Sequence, residues 1–71
     1  MPLMDDLELP ARLRAQRVRL NLSQVEAADY LHVSVRTVQT WESGLSFPRP
    51  LHRRRLERFL RLEALELEET A

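Results

Sequence analysis

The chain has 71 residues, 44% hydrophobic and 31% charged, with one glycine, four prolines and no cysteine. That length allows one domain with a modest core, because a chain this short buries only about 60% of the surface it exposes when unfolded. The missing cysteine excludes disulfide staples, thiolate zinc sites and thiol nucleophiles. No apolar run approaches the roughly 20 residues of a membrane span, and the first residues carry no signal-peptide block. A core of this size rarely lines a catalytic pocket, so the expectation is a cytoplasmic binding module that needs no cofactor, metal or membrane.

The zero formal net charge conceals a strong pattern. All eleven basic residues are arginine. Residues 1–9 carry −3, residues 10–61 carry +7, and residues 62–71 carry −4. A basic centre between acidic ends points towards nucleic acid more than an evenly mixed surface does.

In chain order, residues 1–8 read as an acidic, flexible N-terminus, residues 9–68 as the folded domain and 69–71 as a tail. Pro10 suits the first turn of a helix. Leu9, Leu13, Arg17 and Leu20 then mark one face of a helix ending at Leu20, and Asn21 tolerates the left-handed conformation of a helix stop. Ser23 and Glu26 form the S-x-x-E capping box of a second helix, with Ala27, Ala28 and Leu31 on its apolar face. His32 and Val33 make a short turn. Ser34 caps a third helix from Val35 to about Ser43, and Gly44 stops it.

The last helix is expected from Pro50 to about Glu68. It carries two stripes: Leu56, Phe59, Leu60, Ala64 and Leu67 face inward, while Leu51, Leu62 and Leu65 lie nearly opposite and are candidates for a dimer interface. Trp41 and Phe59 read as core residues rather than stacking platforms, which leaves little for single-stranded RNA to stack on. His32 and His52 lack further ligands at zinc spacing. Ser23 and Ser34 read as helix caps, with no His–acid partner to activate either hydroxyl.

The central feature is the pair of short helices, 23–31 and 34–43, joined by a tight turn. Such a turn forces a steep crossing of about 90–120°. It buries Ala28, Leu31, Val33, Val38 and Trp41 together and leaves Val35, Arg36, Gln39 and Thr40 projecting. A helix presented in this way fits the major groove of B-DNA, about 12 Å wide.

The run N-L-S-Q-V-E-A-A-D-Y-L-H-V-S-V-R-T-V-Q-T-W-E-S-G, from Asn21 to Gly44, resembles the phage repressor and Cro (XRE) helix-turn-helix family. The similarity covers residues 10–60. It differs in having His32 where the family usually has glycine, and in running on into one long charged helix where a fifth helix is common. The resemblance implies an all-α, lambda repressor-like bundle of about four helices with a long C-terminal helix. It implies a homodimer on double-stranded DNA, at a palindromic operator in a bacterial or phage-infected cell.

Position by position, the resemblance implies that Val35, Arg36, Gln39 and Thr40 read bases. Gln24, Ser34, Thr37, Arg49 and Arg53 are implied at phosphates, and Arg17 with Glu42 as a structural ion pair. Arg12, Arg14 and Arg19 would extend the basic surface. Since V-S-V-R-T-V-Q-T-W-E-S-G also resembles the DNA-binding half of some antitoxins, the alternative is an interaction protein whose C-terminal helix binds a protein partner.

Overall fold

The computed structural model describes residues 8–63, 65 and 66. Most of the acidic N-terminus, Ala64 and Leu67 of the inward stripe, and the tail at 69–71 lie outside the described residues. Among the described residues the helical elements are α1 (Leu9–Arg19), α2 (Gln24–Leu31), α3 (Val35–Ser43) and α4 (Pro50–Arg61), and residues 65 and 66 are helical again beyond α4. The described residues contain no strand, and none of their helices is long and apolar enough to cross a membrane.

The first three helices stop by the same device. Asn21, His32 and Gly44 adopt φ of 59°, 58° and 79°. In each case the following N–H turns back to a carbonyl five residues earlier: Leu22 to Arg17, Val33 to Ala28 and Leu45 to Thr40, all at 3.0 Å. This satisfies carbonyls that a helix end otherwise leaves orphaned. Glycine reaches positive φ without penalty, whereas Asn and His are among the few side chains that visit it.

α2 and α3 pack across the turn at His32, and α1 packs on α3, while α4 closes the bundle against α1 and α2. Small Ala27 and Ala28 are both buried and let the α2 backbone approach its neighbours closely. Leu9, Leu13, Leu31, Val38, Trp41, Leu56 and Phe59 complete most of the core, with Val33 half-buried at its edge. The Tyr30 and Phe59 rings pack at 5.5 Å, and the Trp41 ring meets His52 edge-on at 5.4 Å.

Two expectations are corrected. The buried face of α1 is Leu9, Leu13, Gln16 and Leu20, while Arg17 sits half-buried on its flank. Gln16 takes the inward position because its amide has work there. Its Nε2 donates to the Phe59 carbonyl at 3.0 Å and to the Leu62 carbonyl at 2.8 Å, and its Oε1 accepts from Arg19 Nε at 2.9 Å.

The second correction concerns the end of α4. The helix stops at Arg61 instead of continuing to about Glu68, because Leu62 is extended at φ −64° and ψ 144°. Gln16 holds the Phe59 and Leu62 carbonyls that would otherwise continue the ladder. Arg19 Nη2 also donates to the Leu62 carbonyl at 2.7 Å, and its Nη1 donates to the Glu63 side-chain carboxylate at 3.1 Å. At about 100° per residue, a continued helix would put Leu62 on the outer side. The break turns it into the core at 9% exposure, a burial worth about 1.5–3 kcal/mol for leucine. Leu62 therefore drops out of the outward stripe, whereas Leu51 and Leu65 stay exposed at 75% and 65%.

Candidate nucleic-acid interface

The outer side of α3 is positioned from both ends. At its start, the Ser34 hydroxyl accepts the Thr37 backbone N–H at 3.1 Å and lies 3.0 Å from the Thr37 hydroxyl. At its end, the Thr40 carbonyl receives the N–H groups of Leu45 and Ser46 beyond the Gly44 turn. The Thr40 hydroxyl donates to the Thr37 carbonyl at 2.9 Å and accepts from the Ser46 hydroxyl at 2.9 Å. Local sequence rules assign Ser46 no role; a hydroxyl two residues past the glycine stop is the only signal it offers.

Between these ends the exposed side chains are Val35, Arg36 and Gln39. Thr40 is half-buried, with its polar atom already engaged, so its methyl is the part that remains to meet a ligand. Among the described residues no carboxylate pairs with Arg36, so its guanidinium projects into solvent with all its donors unclaimed. A planar five-donor fork of this kind matches the paired acceptors of a guanine edge or of a phosphate.

The start of α2 lies beside this surface. Ser23 and Glu26 close a reciprocal capping box, with Glu26 N–H to Ser23 Oγ at 3.0 Å and Ser23 N–H to Glu26 Oε1 at 2.8 Å. The Ser23 backbone N–H, followed by its hydroxyl, holds the exposed Glu26 carboxyl below its ordinary pKa. Gln24 is the first residue of α2, where free N–H groups and the helix dipole favour an anion.

Behind the surface is one buried charge. The Glu42 side chain is only 1% exposed and is held by Arg17, with Nε at 2.7 Å from Oε2 and Nη2 at 3.2 Å from Oε1. Arg17 Nη1 donates to the Leu22 carbonyl at 3.0 Å, fixing the loop between α1 and α2. The hydrogen bond that Arg17 donates to Glu42 raises the Arg17 pKa, against an opposing effect of burial. Glu42 Oε1 also accepts Gln24 Nε2 at 3.2 Å, and Gln24 Oε1 accepts Gln39 Nε2 at 3.4 Å. The ion pair, the start of α2 and the middle of α3 thus form one connected network.

The arginines sort by place. Arg49 is exposed at the start of α4, and Arg53 is half-buried one turn later. Arg12 and Arg14 are exposed on α1, and Arg14 Nε lies 4.0 Å from Glu42 Oε1. Arg19 leaves the set that extends the basic surface, because three of its nitrogens are engaged by Gln16, Leu62 and Glu63. Among the described residues there is no group of three or more His, Cys, Asp or Glu that could hold a metal ion.

A helix-turn-helix family model matches residues 13–67, which takes in α1 from Leu13 onward and all of α2, α3 and α4. No curated protein and no solved structure matches the chain.

Proposed function

The chain belongs to the XRE-type helix-turn-helix family of DNA-binding transcriptional regulators, and from that premise we propose that it is a sequence-specific repressor that occupies an operator as a dimer. Arg36, Val35, Gln39 and the Thr40 methyl read base edges from α3 in the major groove. Gln24, Ser34 and Thr37 hold phosphates at the two helix starts, and Arg49 with Arg53 neutralises the flanking backbone. Occupying a promoter is the simplest way for a DNA-binding unit of this kind to act on transcription. The site of action is the cytoplasm, where bacterial DNA lies.

The observation that carries this reading is Arg36. It is exposed on the projecting side of α3 with no carboxylate partner among the described residues, beside the Gln24–Gln39 pair. Two copies would read half-sites about 34 Å apart, one turn of the duplex. Leu51 on α4 and Leu65 beyond its end, both exposed, are the surface proposed to join them.

Fluorescence anisotropy on duplexes recovered from a randomised pool, against a scrambled duplex at two salt concentrations, tests the reading. A preference of about 10³-fold or more supports a sequence-specific regulator. Equal and steeply salt-dependent binding to both duplexes would reduce the surface to a general polyanion site. Light scattering of Leu51→Glu/Leu65→Glu tests the pairing, which predicts a monomer where the parent is a dimer.

A further inference from the structure

Glu42 lies behind the reading surface and touches no solvent that DNA could occupy, yet it is two hydrogen bonds from Gln39. An ionised carboxylate accepts hydrogen bonds and donates none. The Gln24 amide must therefore face Glu42 with its Nε2, which turns its Oε1 outward. The outward oxygen can in turn only accept, so Gln39 must meet it with Nε2. The charge of one buried residue thereby fixes the orientation of two successive amides.

We propose that Glu42 and Gln24 are positioning residues that hold the Gln39 amide to read adenine, at a base pair neighbouring the guanine read by Arg36. The proposal rests on the DNA-reading function above and deepens it. With one Nε2 hydrogen taken by Gln24, Gln39 keeps the other hydrogen and Oε1. Those two atoms form the edge that matches adenine, donating to N7 and accepting from the N6 amino group. Guanine offers two acceptors at the same edge, so its O6 would oppose Oε1. Thymine offers O4 and a methyl, and cytosine a single amino donor. An unrestrained glutamine could turn its amide end for end and offer Nε2 to thymine O4 instead. A glutamine tied through Gln24 to a carboxylate cannot do so without breaking the chain of hydrogen bonds.

The spacing sets the neighbouring position. Arg36 and Gln39 are three residues apart on α3, about 4.5 Å along its axis, against about 3.4 Å between successive base pairs. A G and an A on adjoining steps of the half-site is the sequence signature this predicts.

The test uses the full chain. Duplexes are selected from a randomised pool, and single-base variants of the winner are then measured by anisotropy for the parent, Gln39→Ala and Gln24→Met. Gln24→Met removes both amide bonds and leaves the Arg17–Glu42 pair in place; Gln24→Leu replaces it should the methionine variant melt early. Gln39→Ala is expected to erase the preference at one base pair, and that base is expected to be adenine. Gln24→Met is expected to lower the adenine preference at that pair by about fivefold or more, with the guanine preference at the Arg36 position retained.

A uniform loss across all duplexes in Gln24→Met would overturn the proposal and leave Gln24 as a phosphate contact alone. A Gln39 position that selects a base other than adenine would overturn it equally. Failure of the parent to select any sequence would remove the DNA-reading function itself, an outcome visible before any variant is made.

Discussion

Replacing Gln16 by methionine isolates the clamp that ends α4. The two side chains are close in length, so the change removes hydrogen bonds while nearly preserving volume. Three bonds are lost: to the Phe59 carbonyl at 3.0 Å, to the Leu62 carbonyl at 2.8 Å, and from Arg19 at 2.9 Å. Neither carbonyl is fully orphaned, since Phe59 still receives the Leu62 N–H at 3.2 Å and Leu62 still receives Arg19 Nη2 at 2.7 Å. Water can replace the bond at half-exposed Arg19. The two buried bonds, at about 0.5–1.5 kcal/mol each net, set the expected loss at about 1–3 kcal/mol. For a domain of this size, each kcal/mol lowers Tm by roughly 4–8 °C. Circular dichroism melts should therefore place Gln16→Met about 10 °C below the parent. Gln16→Glu should fall further at neutral pH, because a carboxylate would face two carbonyls with nothing to donate. A Gln16→Glu variant as stable as Gln16→Met would refute the clamp.

Three other outcomes follow from the same structure. Glu42→Ala strands the Arg17 guanidinium and should cost roughly 3–5 kcal/mol in urea unfolding; an unchanged midpoint would remove the ion pair from the account. Arg36→Ala should change preference at one base pair by about 1–3 kcal/mol. Arg53→Ala should instead weaken all duplexes alike and reduce the log–log salt slope by about 0.9, and the reverse pattern in anisotropy would exchange their roles. Because the Glu26 pKa is lowered in the fold, its cap contributes fully above its ordinary value, about 4.3, and is lost as the pH falls through the lower folded value. Glu26→Gln keeps an acceptor without the titration, so its melting temperature should decline less steeply with acid than the parent's. Parallel pH profiles would show that the capping box adds no pH dependence.

Local rules made most of the helix boundaries legible. Ser23 with Glu26, Ser34, Asn21, His32 and Gly44 are stop and start signals whose physics is confined to a few neighbouring residues, and the helices of the fold begin and end at them. What the local pattern does not reveal depends on contacts distant in sequence. The i, i+4, i+8, i+11 spacing puts Arg17 on the inward face of α1, yet the i, i+4, i+7, i+11 positions running through Leu9, Leu13 and Leu20 contain Gln16. A polar residue in an apolar register signals a buried partner, but that partner lies 43 and 46 residues away. The end of α4 was hidden for the same reason. Its local pattern favours continuation, and the break comes from α1 capturing carbonyls. At the candidate interface, exposure followed from helix periodicity, whereas the Gln24–Gln39 contact required the crossing of α2 and α3 to be in place.

Glu42 shows why stability and reading are hard to separate in so small a fold. A chain of 71 residues has room for few buried polar groups, and among the described residues Gln16 and Glu42 are the ones buried. Each satisfies several partners at once: Gln16 joins α1 to α4, and Glu42 joins α1, α2 and α3. A buried charge is costly unless paired and hydrogen-bonded on all sides, so Glu42 needs Arg17. Once paired, its remaining lone pairs still require donors, and Gln24 supplies one from the start of α2. The requirement to satisfy a buried carboxylate is thus what brings an ordered amide to the edge of α3. An apolar pair in place of Arg17 and Glu42 could keep the bundle folded, but it would leave Gln24 with nothing to orient it.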